Sequence, residues 1–177
     1  MAQFEVVSKY ASADLVIPVR KTEGSAGYDL AAAEDIVIPP YTTLYHSLIA
    51  ENPQITPIEL NDLADLTKKV KARPTLIPTG LKCKLDPGTY LELSIRSSTP
   101  LKYWITLANN VGIIDADYYN NPDNEGHIFL QVINLSPYPI RIPKGEAVGQ
   151  GIIKPYLTTE NDISSGKRMG GFGSTNG

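Results

Sequence analysis

Fourteen prolines and fourteen glycines punctuate the 177 residues of this chain, and between them run short stretches that alternate in polarity or are rich in β-branched side chains. That is the pattern of many short strands joined by turns. The clearest case is Thr89-Tyr90-Leu91-Glu92-Leu93-Ser94-Ile95-Arg96, entered through the turn residues Asp86-Pro87-Gly88. With a side-chain period of two, Leu91, Leu93 and Ile95 face a core while Tyr90, Glu92, Ser94 and Arg96 face a polar surface. Further strands are expected at 4–7, 15–19, 35–38, 75–85, 104–108, 127–135, 139–142 and 147–153. The fold class is all-β, as a sandwich or barrel.

One segment has a different period. Thr56-Pro57-Ile58-Glu59 reads as a capping box with Pro at the first helical position, and Leu60, Leu63, Leu66 and Val70 then recur at helical spacing through Lys71. A single short amphipathic helix is expected here, inserted between two strands. It is either an added surface for a protein partner or a lineage-specific embellishment.

A chain of this length suits one domain that buries roughly 70% of its extended surface. The domain is expected over residues 1–157, and residues 158–177, which lack periodicity, form a mobile C-terminal tail. Cys83 is the single cysteine, so no internal disulfide can form. The opening MAQFEVVSKY has no long apolar stretch, and no run approaches membrane-spanning length, so a cytoplasmic protein without a membrane role is expected. The net charge of −3, with no basic block, argues against binding a nucleic-acid polymer. A small anionic ligand at one local site is compatible with it.

Several segments could carry chemistry. In Leu107-Ala108-Asn109-Asn110-Val111-Gly112-Ile113-Ile114-Asp115-Ala116-Asp117-Tyr118-Tyr119, apolar residues lead into two carboxylates and two phenols. An Asp beside apolar residues can act as a general base on water, and Asn109 can offer a donor and an acceptor to a base edge. An ordinary hairpin with Asx turns would look similar. Arg96-Ser97-Ser98-Thr99 sets a guanidinium before three hydroxyls, which can grip phosphates or simply end a strand in a solvated turn. In Ala26-Gly27-Tyr28-Asp29-Leu30, Gly27 permits close backbone approach and Asp29 could support an Arg or a hydrated cation. Gly149-Gln150-Gly151 puts an amide between small neighbours, as a ligand contact or a bulge. His46 and His127 have no companions at metal-binding spacing and read as ordinary surface or strand residues. A P-loop and a G-x-S-x-G elbow are both missing. The chain ends on Gly170-Gly171-Phe172-Gly173-Ser174-Thr175-Asn176-Gly177, where glycine N–H groups and hydroxyls can cradle phosphate and a ring can stack on a base.

Taken in order, AGYDL, RSST, LANNVGIIDADYY, KGEAVGQ and GGFGSTNG resemble the five motifs of the homotrimeric dUTP pyrophosphatase (dUTPase) family, from residue 26 to residue 177. The resemblance implies a jelly-roll type β-barrel assembled as a homotrimer, with three active sites at subunit junctions. It implies Mg²⁺ held by the triphosphate rather than by the protein, and cleavage of dUTP to dUMP and pyrophosphate, which limits uracil in DNA and supplies dUMP. Asp115 is implied as the general base. Asn109, together with backbone groups of the hairpin such as Gly112, reads uracil, and Tyr118 lies against the deoxyribose. Arg96, Ser97, Ser98 and Gln150 hold phosphates, with Asp29 behind them. Phe172 stacks on uracil, and Gly173, Ser174 and Thr175 cover the γ-phosphate.

Three features depart from that pattern. The stretch from about Ser47 to Arg73 is longer than a minimal member needs, and 120–126 lengthens the turn after Tyr119. The tail cation that many members carry five residues before the Phe falls on Lys167 here, with Arg168 four before it, and either reaches the γ-phosphate. An unusual insertion in a compact enzyme suits a phage origin. Two alternatives are a dCTP deaminase of the same fold, and a nucleotide-binding regulatory trimer that engages a protein through the inserted helix.

Overall fold

The computed structural model describes residues 1–54, 57–71, 73–164, 166 and 168–171. Among the described residues, eleven strands carry the fold: β1 (Gln3–Val6), β2 (Tyr28–Ala31), β3 (Ile36–Ile38), β4 (Thr75–Pro78), β5 (Leu81–Lys84), β6 (Thr89–Ile95), β7 (Ile105–Leu107), β8 (Gly112–Asp115), β9 (Phe129–Asn134), β10 (Ile140–Ile142) and β11 (Ala147–Pro155). A four-stranded sheet runs β2-β11-β6-β8, and a three-stranded sheet runs β4-β9-β7. Two strand pairs, β1-β5 and β3-β10, complete an all-β sandwich whose ladders are all antiparallel.

Alternation places the core where the sequence pattern puts it. Leu91 and Leu93 on β6 and Leu130 and Val132 on β9 are buried between the two larger sheets, with Ile77, Ile105 and Val148 around them. The sheets approach closely at β11. A Cβ on Gly149 would stand 2.7 Å from Leu130 Cδ1, and one on Gly151 would stand 2.8 Å from Leu91 Cδ1. Both glycines are therefore packing residues, and the ladder to β2 also shifts register between Ala147 and Gly149, so the bulge is real as well.

Two expected strands are corrected. The 75–85 run is divided at Thr79–Gly80, where Gly80 takes φ +71° and β4 pairs with β9 while β5 pairs with β1. The 15–19 run is not a strand: Leu15 packs under Tyr10 and Gly80, and Val16 and Val19 are exposed. Pro18 lacks the donor a ladder needs.

The insertion holds two helices rather than one, α1 (Tyr41–Glu51) and α2 (Leu60–Lys69), joined by the Lys69–Glu51 ion pair. α2 begins after Glu59, so Pro57 does not open it, and Thr56 of the expected capping box lies outside the described residues. α1 escapes a sequence reading because its Thr and Tyr residues favour strands, although Tyr41, Leu44, Tyr45, Leu48 and Ile49 recur at helical spacing; Tyr41 and Tyr45, one turn apart, stack at 6.4 Å. A third helix, α3 (Ser98–Tyr103), begins inside the expected Ser-rich turn. Among the described residues no helix is long and apolar enough to cross a membrane.

Candidate active site

The motif residues gather in two clusters. The first lies where β2, β11 and β6 run side by side. Gln150 is paired with Asp29 on one side and Ser94 on the other, and Gly27 leaves room for its amide: a Cβ there would fall 2.5 Å from Gln150 Oε1. Arg96 leaves the end of β6 and is fixed three ways. Its Nε meets Asp29 Oδ1 at 3.1 Å, its Nη1 donates to the Ala147 carbonyl at 3.0 Å, and its backbone N–H donates to the Val148 carbonyl at 3.1 Å. The chain then turns into α3, with Ser97 at the cap and Ser98 first in the helix. Thr99 Oγ1 pins that helix to the Val148 carbonyl at 2.9 Å. The Ser97 hydroxyl caps no backbone group and stands exposed. A cavity of about 510 Å³ opens here, lined by the cations Arg96, Lys21, Lys102 and Lys144 and by the acids Asp14, Asp29 and Glu146. A guanidinium held in place at such a cavity can bind an oxyanion such as a phosphate.

The second cluster is built on β8 and the turns around it. Asn110 takes φ +60° to bring the chain from β7 into β8, and Gly112 packs on Leu93, where a Cβ would stand 3.1 Å from Leu93 Cβ. Asp115 ends β8 and is followed by a short 3-10 turn, Ala116–Tyr118. Tyr118 is buried, and its hydroxyl donates to the His127 carbonyl at 3.1 Å and accepts from Asn124 Nδ2 at 2.8 Å. Burial raises its pKa above that of an ordinary phenol, so it stays neutral. The lengthened 120–126 turn supplies that support: Asn121 bonds the Tyr118 carbonyl and the Asn124 amide oxygen, and Gly126, at φ +80°, passes so close to the Tyr118 carbonyl that a Cβ would stand 2.5 Å from it. A cavity of about 210 Å³ lies between β8 and β9, lined by Asn109, Gly112, Ile114, Tyr118, Phe129 and Gln131 among others. It is smaller than the ~300 Å³ typical of sites for drug-sized ligands and suits a single flat ring.

The tail reaches this second cluster. Arg168 contacts Asp115 through Nη2 and Asp117 Oδ1 through Nε at 2.8 Å, and its guanidinium sits 5.8 Å from the Tyr118 ring centroid. Gly171 lies flat on Tyr118, where a Cβ would stand 2.7 Å from Cε2. Phe172, Gly173, Ser174, Thr175 and Lys167 lie outside the described residues.

The clusters do not meet within one chain. Asp115 pairs with Tyr90 across the β6–β8 ladder, and Arg96 follows the far end of β6, six residues on. At ~3.3 Å per residue they are about 20 Å apart, too far to act on one phosphorus atom. Sequence reasoning passed over Phe129, Gln131 and Asp117; only strand alternation on β9 could have signalled the first two. His127, read as an ordinary strand residue, is buried between Tyr10 and Phe129 and accepts the Gly80 N–H through Nε2 at 2.9 Å, and burial lowers its pKa to about 4.

The family model described as dUTPase matches residues 59–176. A deoxyuridine 5'-triphosphate nucleotidohydrolase of Lactococcus lactis is 42% identical over 174 residues, covering 97% of this chain and 95% of that protein. The crystal structure of the dUTPase from Streptococcus mutans superposes with a TM-score of 0.68 at 34% identity, over 89% of this chain and 98% of that one. The dUTPase from phage phi11 of S. aureus shares the fold, with a TM-score of 0.59 at 17% identity over 98% of this chain and 99% of that one. The chain belongs to the dUTPase family.

Proposed function

We infer that this chain is a dUTP diphosphatase, converting dUTP and water to dUMP and pyrophosphate. The observation that carries the reading is a ring-sized cavity lined by Asn109, Tyr118 and Gln131, whose Arg168 also holds Asp115, together with a separate cavity that opens at Arg96. Asp115 takes a proton from a water that attacks the α-phosphorus, the bond from that phosphorus to the bridging oxygen breaks, and pyrophosphate leaves with the electron pair. Arg96, Ser97, Ser98 and Gln150 carry the charge on the phosphate oxygens. Asn109 and the Gly112 backbone read the base, and Tyr118, wedged by its two hydrogen bonds, leaves no space for a ribose 2′-hydroxyl.

The 20 Å between Asp115 and Arg96 supports assembly as a homotrimer in which each site joins two subunits' clusters. Among the described residues no three His, Cys, Asp or Glu side chains gather to hold a metal. Mg²⁺ would be carried on the triphosphate, with Asp29 behind it through its ion pair with Arg96. When bound, the ion neutralises oxygen charge as pyrophosphate departs. The tail, residues 158–177, closes the site as a lid: Phe172 stacks on uracil, Gly173, Ser174 and Thr175 cover the γ-phosphate, and Arg168 docks at Asp115 and Asp117. Imperfect pairing of buried polar groups with cytosine costs on the order of 10⁴ in specificity.

Incubation of the protein and Mg²⁺ with dUTP, dCTP, dTTP and UTP tests the reading through pyrophosphate and ammonia release. Pyrophosphate from dUTP alone is expected. Ammonia from dCTP would make the protein a deaminase, and binding without any product would make it a regulatory trimer.

A further inference from the structure

On β9, Leu130, Val132 and Asn134 point into the core, and alternation turns Phe129 and Gln131 to the other side, where both line the cavity beside β8. Gln131 is held at a fixed depth. Its carbonyl accepts the Ala108 N–H at 2.8 Å and its Cα partner on the other neighbour is Leu76, so the residue sits one step from Asn109. Asn109 stands exposed at the mouth, whereas Gln131 is half-buried within.

Of the other polar side chains of this cavity, Asn109 stands at the mouth, and Tyr118 and Arg168 are already engaged. The Tyr118 hydroxyl both donates and accepts, and the Arg168 guanidinium is taken by Asp115 and Asp117. The Gln131 amide makes no hydrogen bond to another described residue. The apolar walls, Leu93, Ile114 and Phe129, leave it the bound ring as a partner.

We propose that Gln131 is a base-reading residue, its side-chain amide hydrogen-bonded to the edge of the bound uracil. This rests on the dUTP reading above. The chemistry matches: a primary amide presents one acceptor and two donors side by side, and the imide edge of uracil presents an N–H flanked by carbonyls. Gln131 Oε1 accepts from N3–H while Nε2 donates to a neighbouring carbonyl. Cytosine inverts both groups on that edge, with a bare N3 and an amino group at C4.

Two variants test this. Gln131→Met keeps length and removes both hydrogen bonds, and KM for dUTP is expected to rise roughly tenfold with kcat within about threefold, because the contact holds ground and transition states alike. Gln131→Glu keeps an acceptor and loses the donor. It sets a carboxylate against the uracil carbonyl, yet can still accept from the cytosine amino group. The ratio of kcat/KM for dUTP over dCTP is therefore expected to fall by about tenfold or more. A residue that only supported the strand would lower both substrates together and leave the ratio unchanged. Unaltered KM in the first variant and an unaltered ratio in the second overturn the proposal while leaving dUTP hydrolysis intact. If the unmodified protein releases no pyrophosphate from dUTP, the parent reading falls, and titration with dUMP then decides. Equal affinity in the unmodified and Gln131→Met proteins overturns the role of Gln131, and weaker affinity in the variant supports it.

Discussion

Asp115 lies opposite Tyr90 near one end of β6 and Arg96 follows its other end, about 20 Å away and on the same face of the sheet. With the proposed roles of base for Asp115 and phosphate clamp for Arg96, the two serve one substrate only if they belong to different copies of the chain.

That arrangement predicts complementation. Asp115→Asn and Arg96→Ala are each expected to be nearly inactive alone. Mixed subunits, refolded together, regain roughly a quarter of normal turnover, because random assembly pairs an intact base with an intact clamp at about that frequency. Pyrophosphate release from the mixture, compared with each variant alone, is the measurement. No recovery on mixing would mean that one chain holds a whole site.

Asp115→Asn on its own is expected to lower kcat by roughly 10² or more, as for a lost general base, without changing the assembly seen by light scattering. Near-normal turnover would remove Asp115 from the mechanism.

Most of the strand framework was legible from residue pattern alone, and the motif residues Arg96, Asn109, Asp115, Tyr118 and Gln150 stood out in the sequence, whereas Phe129 and Gln131 did not. Leu91 and Leu93 alternate with Glu92 and Ser94, and that alternation fixes the face from which Arg96 emerges. What escaped was set by tertiary partners. Gly80 divides the 75–85 run because its neighbours Leu15 and Tyr10 crowd it, and those lie more than sixty residues away in sequence. α1 is rich in Thr and Tyr, whose local preference is for strands, and that preference masked the helical spacing of Tyr41, Leu44, Tyr45, Leu48 and Ile49. The separation of the clusters follows from register, which motif order along the chain does not encode. Gln131 was hidden because a lone amide on a strand has no spacing to mark it.

Arg168 joins the tail to Asp115 and Asp117, so the tail has an anchor beyond its own glycines. Removing residues 168–177 is expected to cut turnover by roughly 10² while leaving the assembly and its melting temperature close to normal, since a lid excludes water rather than building the core. Arg168→Gln alone should show a milder loss that fades as salt is raised in the unmodified protein, because both carboxylates are substantially exposed. Equal activity after truncation would leave the tail without a catalytic part.

The two helices of the insertion are tied to each other by the Lys69–Glu51 ion pair on an exposed surface. Replacement of residues 42–72 by a short Gly-Ser linker is expected to keep the assembly and hold kcat/KM within about threefold, as loop length costs little in closure entropy. Loss of the assembly by light scattering would make the insertion part of the subunit interface instead.

His127 gives the fold a definite pH dependence. Its pKa is lowered from 6.5 to about 4, chiefly by burial, with the Lys9 charge adding to the effect. The folded state holds the ring neutral while the unfolded chain binds a proton below pH 6.5, so the unfolded state binds more protons between about pH 6.5 and pH 4. Stability from this group is complete above pH 6.5 and is lost as pH falls towards 4. Protonation would also cost Nε2 its role as acceptor for the Gly80 N–H. His127→Gln keeps an acceptor without a titrating group. Thermal melts from pH 7.5 to pH 4 should therefore fall less steeply in the variant than in the unmodified protein, and parallel curves would assign the acid sensitivity to other groups.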